Sequence, residues 1–239
     1  MITVLSKENV GYHVSSLYQM HRLRKQVFSD RLGWSVAVSG DLEVDEYDAL
    51  APVYVLSVTA EGDVLGGVRL LPTIGPYMLR NTFASLLDDL EAPASELLWE
   101  ASRFAVAKTN AKGDGGLACA TYELLIGVLR FSLAHDIEAI ICVVDLRMER
   151  VLRRAGWHMH RLGSERRIGN TMAVAGRLDV SECLLRRLED LAEDSRPAAG
   201  MPPARIHAPQ DPSPWGPRPL APWPAMQPHP YAVAATQAL

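Results

Sequence analysis

Cysteine is scarce in this chain, long apolar runs are missing and positive charge is in the minority. Each shortage closes off a class of protein. The three cysteines, Cys119, Cys142 and Cys183, are odd in number, widely spaced and set among apolar neighbours, which reads as reduced core residues rather than a disulfide or zinc framework. No apolar stretch approaches the ~20 residues of a membrane span, so no membrane insertion is expected. The opening residues Met1 to Ser6 show no basic segment followed by a long apolar one, so no secretory leader is expected and the cytoplasm is the expected compartment. A net charge of -4 argues against nucleic-acid binding. The phosphate loop GxxxxGK[ST], the zinc helix HExxH and the nucleophile elbow GxSxG are all absent. Of the seven histidines only His158 and His160 are spaced like a metal pair, and no third ligand is nearby, so no metal is expected.

What is present suits one soluble core followed by a tail. Hydrophobic residues make up 48% and charged residues 22% of the 239 positions, ordinary values for a globular protein of this length. Ile2 to Leu5 reads as a first strand, and Glu8 to Leu32 as a helix with Val14, Leu17, Val27, Phe28 and Leu32 on its apolar face. Residues 33–52 carry Asp41, Glu43, Asp45, Glu46 and Asp48 without a sustained period, an acidic loop of a length that is usually functional or disordered. Val53 to Ala60 and Val64 to Leu71, joined by Glu61-Gly62-Asp63, read as an antiparallel hairpin. Tyr77 to Leu87 reads as a short helix, Leu117 to His135 as a buried one, Ile137 to Val144 as a buried strand and Leu146 to Ala155 as a helix closed by Gly156. A short segment near Trp157 to Leu162, a strand at Thr171 to Leu178 and a helix capped by Ser181 complete the core. A hairpin followed by alternating strands and helices implies an α/β fold, a three-layer α/β/α sandwich with a mixed central sheet. Twelve of the sixteen prolines lie between Pro197 and Pro230. Residues 1–196 therefore read as the folded domain and 197–239 as a proline-rich tail, disordered or polyproline-like.

Between these elements stand polar residues that packing alone does not explain. The segment Leu98 to Val106 is apolar enough to be a central strand, yet it holds Glu100 and Arg103. Regular alternation would send these two to opposite faces. They can share a cleft only if the strand ends, splays or bulges there; a structural ion pair at a sheet edge is the other reading. Arg24 and Phe28 are four apart and share a helix face. Arg69 lies in the apolar run Gly66 to Pro72, where an unpaired guanidinium would be costly. Asp45, Asp48 and Glu100 supply three carboxylates for Arg24, Arg69 and Arg103, which predicts a partly buried network around a cavity. Lys108 to Gly116 is glycine-rich between a strand and a helix, a place for backbone N–H groups to meet an anion, although Asp114 opposes that. Arg147, Arg150, Arg153, Arg154, Arg161, Arg166 and Arg167 crowd one window against only Glu149 and Glu165, a patch suited to an acidic or phosphate-bearing partner.

Arg24-x3-Phe28-x5-Trp34, Asp45-x2-Asp48, the run Arg69 to Thr73 followed by Pro76, and Trp99-Glu100-x-Ser102-Arg103-Phe104 together resemble the acyl-homoserine-lactone synthases. The resemblance covers roughly residues 2–180, including Arg153-Arg154-Ala155-Gly156-Trp157, and leaves out the tail. It implies a fold like that of the GNAT N-acetyltransferases. It also implies an acyltransferase that joins the acyl group of acyl-carrier protein, or acyl-CoA, to S-adenosylmethionine, closes the lactone and releases methylthioadenosine. S-adenosylmethionine is then a substrate, and no cofactor is expected. The resemblance assigns Glu100 as base and Arg103, Arg69, Asp45 and Asp48 as its catalytic companions. Arg24, Phe28, Trp34, Ser102, Phe104 and Cys142 become substrate-binding residues, with Phe28 and Trp34 over the adenine and sulfonium. Arg147, Arg150, Arg153 and Arg154 become the surface for the carrier protein. Family members making 3-oxo products tend to carry Thr near Cys142, so Cys implies a product without that group. A plain N-acetyltransferase and a non-catalytic S-adenosylmethionine sensor are the alternatives.

Overall fold

A computed structural model of the chain describes residues 1–108 and 119–194. The glycine-rich stretch after Lys108 and the tail from Pro197 lie outside the described residues. The elements in order are β1 (Ile2–Leu5), α1 (Val14–Arg24), β2 (Val38–Ser39), β3 (Leu42–Glu43), β4 (Val53–Val58), β5 (Val64–Pro72), α2 (Met78–Asn81), β6 (Leu98–Val106) and α3 (Cys119–Ala134). There follow β7 (Ala139–Asp145), α4 (Leu146–Arg154), β8 (Met159–Arg161), β9 (Arg166–Ile168), β10 (Thr171–Asp179) and α5 (Glu182–Asp194). The main sheet runs β1-β4-β5-β6-β7-β10-β8, with β9 also on β10, while β2 and β3 form a separate ribbon. Every pairing is antiparallel except β6 with β7. The three-layer α/β/α sandwich with a mixed sheet is therefore what the chain adopts.

Burial explains which helix lies where. Val68, Leu70, Trp99, Ile140 and Cys142 point to one face and meet the apolar stripes of α3, α4 and α5 through Leu124, Leu129, Leu152 and Leu188. Gly127 lets α3 approach closely: a Cβ there would lie 2.5 Å from Val55 Cγ1 and 3.0 Å from Ile2 Cγ2. On the opposite face, Met20 of α1 packs on Leu56 and Tyr54, and Leu71 and Ile141 meet Tyr77, Leu79 and Leu86. The described residues contain no helix long and apolar enough to cross a membrane.

Several expectations need correction. The first helix is not uniform: a 3-10 turn at Val10–His13 leads into α1, and Lys25–Arg31 continues it as a π-helix, a wider turn that recurs at functional sites. Val14, expected on its apolar face, is the first residue of α1 and is 63% exposed. Residues 33–52 are not a structureless loop but hold β2, β3 and a 3-10 turn at Glu46–Leu50. The helix expected at Tyr77 to Leu87 is two short pieces, α2 and a 3-10 turn at Ala84–Leu87. β9 was not expected; it is too short to show a period. Of the three cysteines only Cys142 is buried, and Cys183 is exposed on α5.

Candidate active site

The spacing Asp45-x2-Asp48 is that of a capping box, and it closes the 3-10 turn after β3. Asp45 accepts from the Tyr47 N–H at 3.0 Å, and Asp48 accepts from the Asp45 N–H at 2.8 Å. Each carboxylate is thereby aimed by a neighbouring backbone N–H of the same turn and keeps lone pairs for arginine. Arg24 reaches in from α1 and donates to Asp48 Oδ1 and Oδ2 at 2.8 and 2.9 Å and, through Nε, to Glu43. Arg69 reaches in from β5 to Asp45 and to Asp48 Oδ1 at 2.9 Å, and its Nε donates to Ser102 Oγ at 3.1 Å. Arg103 donates to Glu43 Oε1 at 2.9 Å and lies 2.8 Å from Asp45 Oδ2. Three guanidiniums face three carboxylates, as expected, but the third carboxylate is Glu43 and not Glu100. Glu43 is fully buried, as are Arg24 and Arg69, so charge balance is what makes this interior tenable. Burial alone would raise the Asp48 pKa, but the hydrogen bonds and charges of Arg24 and Arg69 outweigh it and hold the group well below the carboxylate range.

Glu100 stands apart from that network, on the same side of the sheet. Its two oxygens accept from the backbone N–H groups of Met78 and Leu79 at 2.9 and 2.7 Å, so it caps the first turn of α2. The group is 1% exposed. Burial pushes its pKa up to about 7, against the pull of those two donors and of Arg69 and Arg103. Met78 joins the two assemblies: its N–H serves Glu100, and its Sδ accepts from Arg69 at 3.2 Å and from Arg103 at 3.4 Å.

A bulge brings Arg103 to this side. Arg69 pairs with Ser102 and Gly67 with Ala105, so β6 spends one residue more than β5 over the same interval. Arg103 takes φ +57°, a left-handed conformation that L-residues adopt at a cost. The bulge swings its side chain from the α3 face to the face of Glu100 and Glu43. Just there β6 leaves β7: the two pair only over Leu98–Ala101 and Ala139–Cys142, and beyond that point they part into a cleft.

A family model described as autoinducer synthase matches residues 9–188. The acyl-homoserine-lactone synthase of Agrobacterium fabrum is 43% identical over 179 residues, 74% of this chain and 85% of the relative. The chain belongs to the autoinducer synthase family, the acyl-homoserine-lactone synthases. Its fold superposes on the crystal structure of the synthase LasI with a TM-score of 0.71 at 38% identity, covering 80% of this chain and 94% of the other. The synthase BjaI, whose solved structure holds S-adenosylmethionine and isopentyl-CoA, gives 0.74 at 27% identity, with 81% and 89% covered.

In this synthase the cleft opens on the α3 side into an apolar pocket between Phe104 of β6, Leu125 and Val128 of α3, and Cys142 and Val144 of β7. Cys142 lies there as expected; its thiol is pushed up to about 12 by burial and stays neutral. On the other flank Phe28 stacks with Trp34, ring centroids 5.3 Å apart and planes within 15°, and the Arg103 guanidinium lies 5.6 Å over the Phe28 ring. Phe28 is buried under this stack, so only Trp34 offers a face outward. The Trp34 indole N–H donates to Thr171 Oγ1 at 3.2 Å, and the ring borders a groove of about 300 Å³ shared with Arg147 and Arg150. Arg24, to which the resemblance gives a substrate-binding role, is fully buried in the network and positions other groups instead. Arg147, Arg150, Arg153 and Arg154 are all exposed on α4. Sequence reasoning missed Glu43 and Met78. A glutamate amid an acidic loop carries no period to mark it as buried, and Met78 reads as ordinary core.

Proposed function

We propose that the synthase joins an acyl group to the amine of S-adenosylmethionine and then closes the lactone, with Glu100 as the base. The observation that carries this reading is a single one: a buried carboxylate with its pKa raised to about 7 sits one residue before β6 and β7 part, on the side of the ion-pair network and across β6 from the apolar pocket. An α-amino group titrates near ~8 and must lose its proton before it attacks a thioester. A carboxylate offers about four acceptor sites, so with two N–H groups bound Glu100 still takes that proton, directly or through one water. The new C–N bond forms as the C–S bond of the thioester breaks. The register leaves Arg103 and Phe104 outside the β5–β6 pairing, and their backbone N–H groups are the donors we assign to the thioester oxygen.

Lactonisation then needs the substrate carboxylate to attack the γ carbon as the sulfonium leaves as neutral methylthioadenosine. Positioning suffices for that step. Arg103, at 12% side-chain exposure the most open guanidinium of the network, is the partner we assign to the carboxylate, and Trp34 covers the adenine. The donor we favour is acyl-carrier protein, an acidic partner for the arginine face of α4, and the compartment is the cytoplasm. Cys142, a weak donor in the pocket wall, favours acyl groups without a 3-oxo oxygen. Incubating the purified chain with S-adenosylmethionine and either acyl-carrier-protein or CoA thioesters, with mass spectrometry of products, tests all of this. Equimolar acyl-homoserine lactone and methylthioadenosine are expected, and acylated S-adenosylmethionine without lactone would refute the second step.

A further inference from the structure

We propose that Trp157 is the end stop of the apolar pocket and limits the synthase to acyl chains of about six to eight carbons; this rests on the reading above, in which that pocket takes the acyl group. Register locates the two ends. The mouth lies where β6 and β7 part, beyond Ala101 and Cys142, at Val143 and Val144. The far end lies at the start of β7, where Leu178 pairs with Ile140 and Asp179 with Ala139.

Trp157 covers that far end. It lines the cavity and is 2% exposed, and its indole N–H donates to the Asp179 carbonyl at 2.9 Å. Swinging the ring aside would leave a buried donor unpaired, so the stop is rigid. Leu152 and Leu178, both buried, also line this end. The wall beside it is closed as well. Met159 Sδ lies 3.7 Å from Cys142 Sγ, and the same side chain crosses Gly176 so closely that a Cβ there would come within 2.2 Å of Met159 Cγ. The cavity measures about 60 Å³, room for about four to six water-sized groups and so for about as many methylenes. The carbonyl carbon and C2 lie outside that count, at the mouth beside Arg103.

The experiment is a chain-length series on the full-length enzyme, with S-adenosylmethionine and thioesters from butanoyl to tetradecanoyl. We expect kcat/KM to peak at about eight carbons or below and to fall at least about tenfold by dodecanoyl, since one misplaced methylene in an apolar pocket costs about 10-fold or more. Trp157→Leu should raise the dodecanoyl-to-hexanoyl ratio of kcat/KM by at least about tenfold. Val128→Phe narrows the pocket from α3 without touching the stop and should move the optimum to shorter chains. A wild-type optimum at dodecanoyl or longer, or an unchanged ratio in either folded variant, overturns the assignment. Absence of acyl-homoserine lactone at every chain length would overturn the reading beneath it, and this inference with it.

Discussion

On the proposed base role, the protonation of Glu100 governs activity as well as stability. As a base it must be ionised, so turnover should rise with pH through about 7 and level off above. Glu100→Gln should lower kcat about 100-fold and remove that inflection while S-adenosylmethionine still binds; a pH–kcat profile checks it. The stability effect runs the other way. The folded pKa is raised above the ordinary 4.5, so its contribution is fully present below about 4.5 and is lost as pH climbs to about 7, on the order of 3 kcal/mol in all. Asp48 has the opposite sign: its pKa is lowered, so its contribution is present at neutral pH and lost as pH falls below the carboxylate range. Glu43 is a fully buried carboxylate that joins Arg24 to Arg103. Glu43→Gln leaves the three guanidiniums of the network against two carboxylates and should cost about 3–5 kcal/mol. Urea unfolding should show a lower midpoint at unchanged slope.

Elements differ in how much of themselves is written locally. β4, β5 and α4 were read from the chain within two or three residues because their signals are local: a turn at Glu61-Gly62-Asp63, and Gly156 at φ +82° ending α4. α5 begins as read, with Ser181 Oγ accepting from the Leu184 N–H at 3.2 Å. The bulge in β6 was legible only as a condition, since regular alternation sends Glu100 and Arg103 to opposite faces and they share one only if the strand breaks it. Which carboxylate Arg103 meets was not legible, because Glu43 is distant in sequence and comes close only when β3 docks under α1. The α4 surface carries its own prediction. Arg147, Arg150, Arg153 and Arg154 are exposed, while Glu149 of the same helix is spent on Arg161 at 2.8 Å. Reversing Arg150 and Arg154 to Glu should raise KM for acylated carrier protein several-fold and flatten its salt dependence. Steady-state kinetics at two ionic strengths, with a small acyl thioester as control, checks it. An equal loss with the small substrate would point to misfolding.

At the scale of the whole molecule, the described residues end on α5, which packs on α3 with Leu188 and Ala192 in the core. Removing residues 197–239 should leave the melting temperature and kcat nearly unchanged, because that composition supplies little apolar surface. Thermal melts of the two lengths decide it. The family was legible in the chain, through eight polar and aromatic positions in order, and so was the layered α/β architecture, through periodicities that local backbone geometry enforces. The tertiary structure alone decided which carboxylates pair, that Arg24 is sealed inside, that Glu100 caps α2, and where the pocket ends at Trp157. These depend on groups far apart in the chain meeting away from water, and no local pattern records a meeting of that kind.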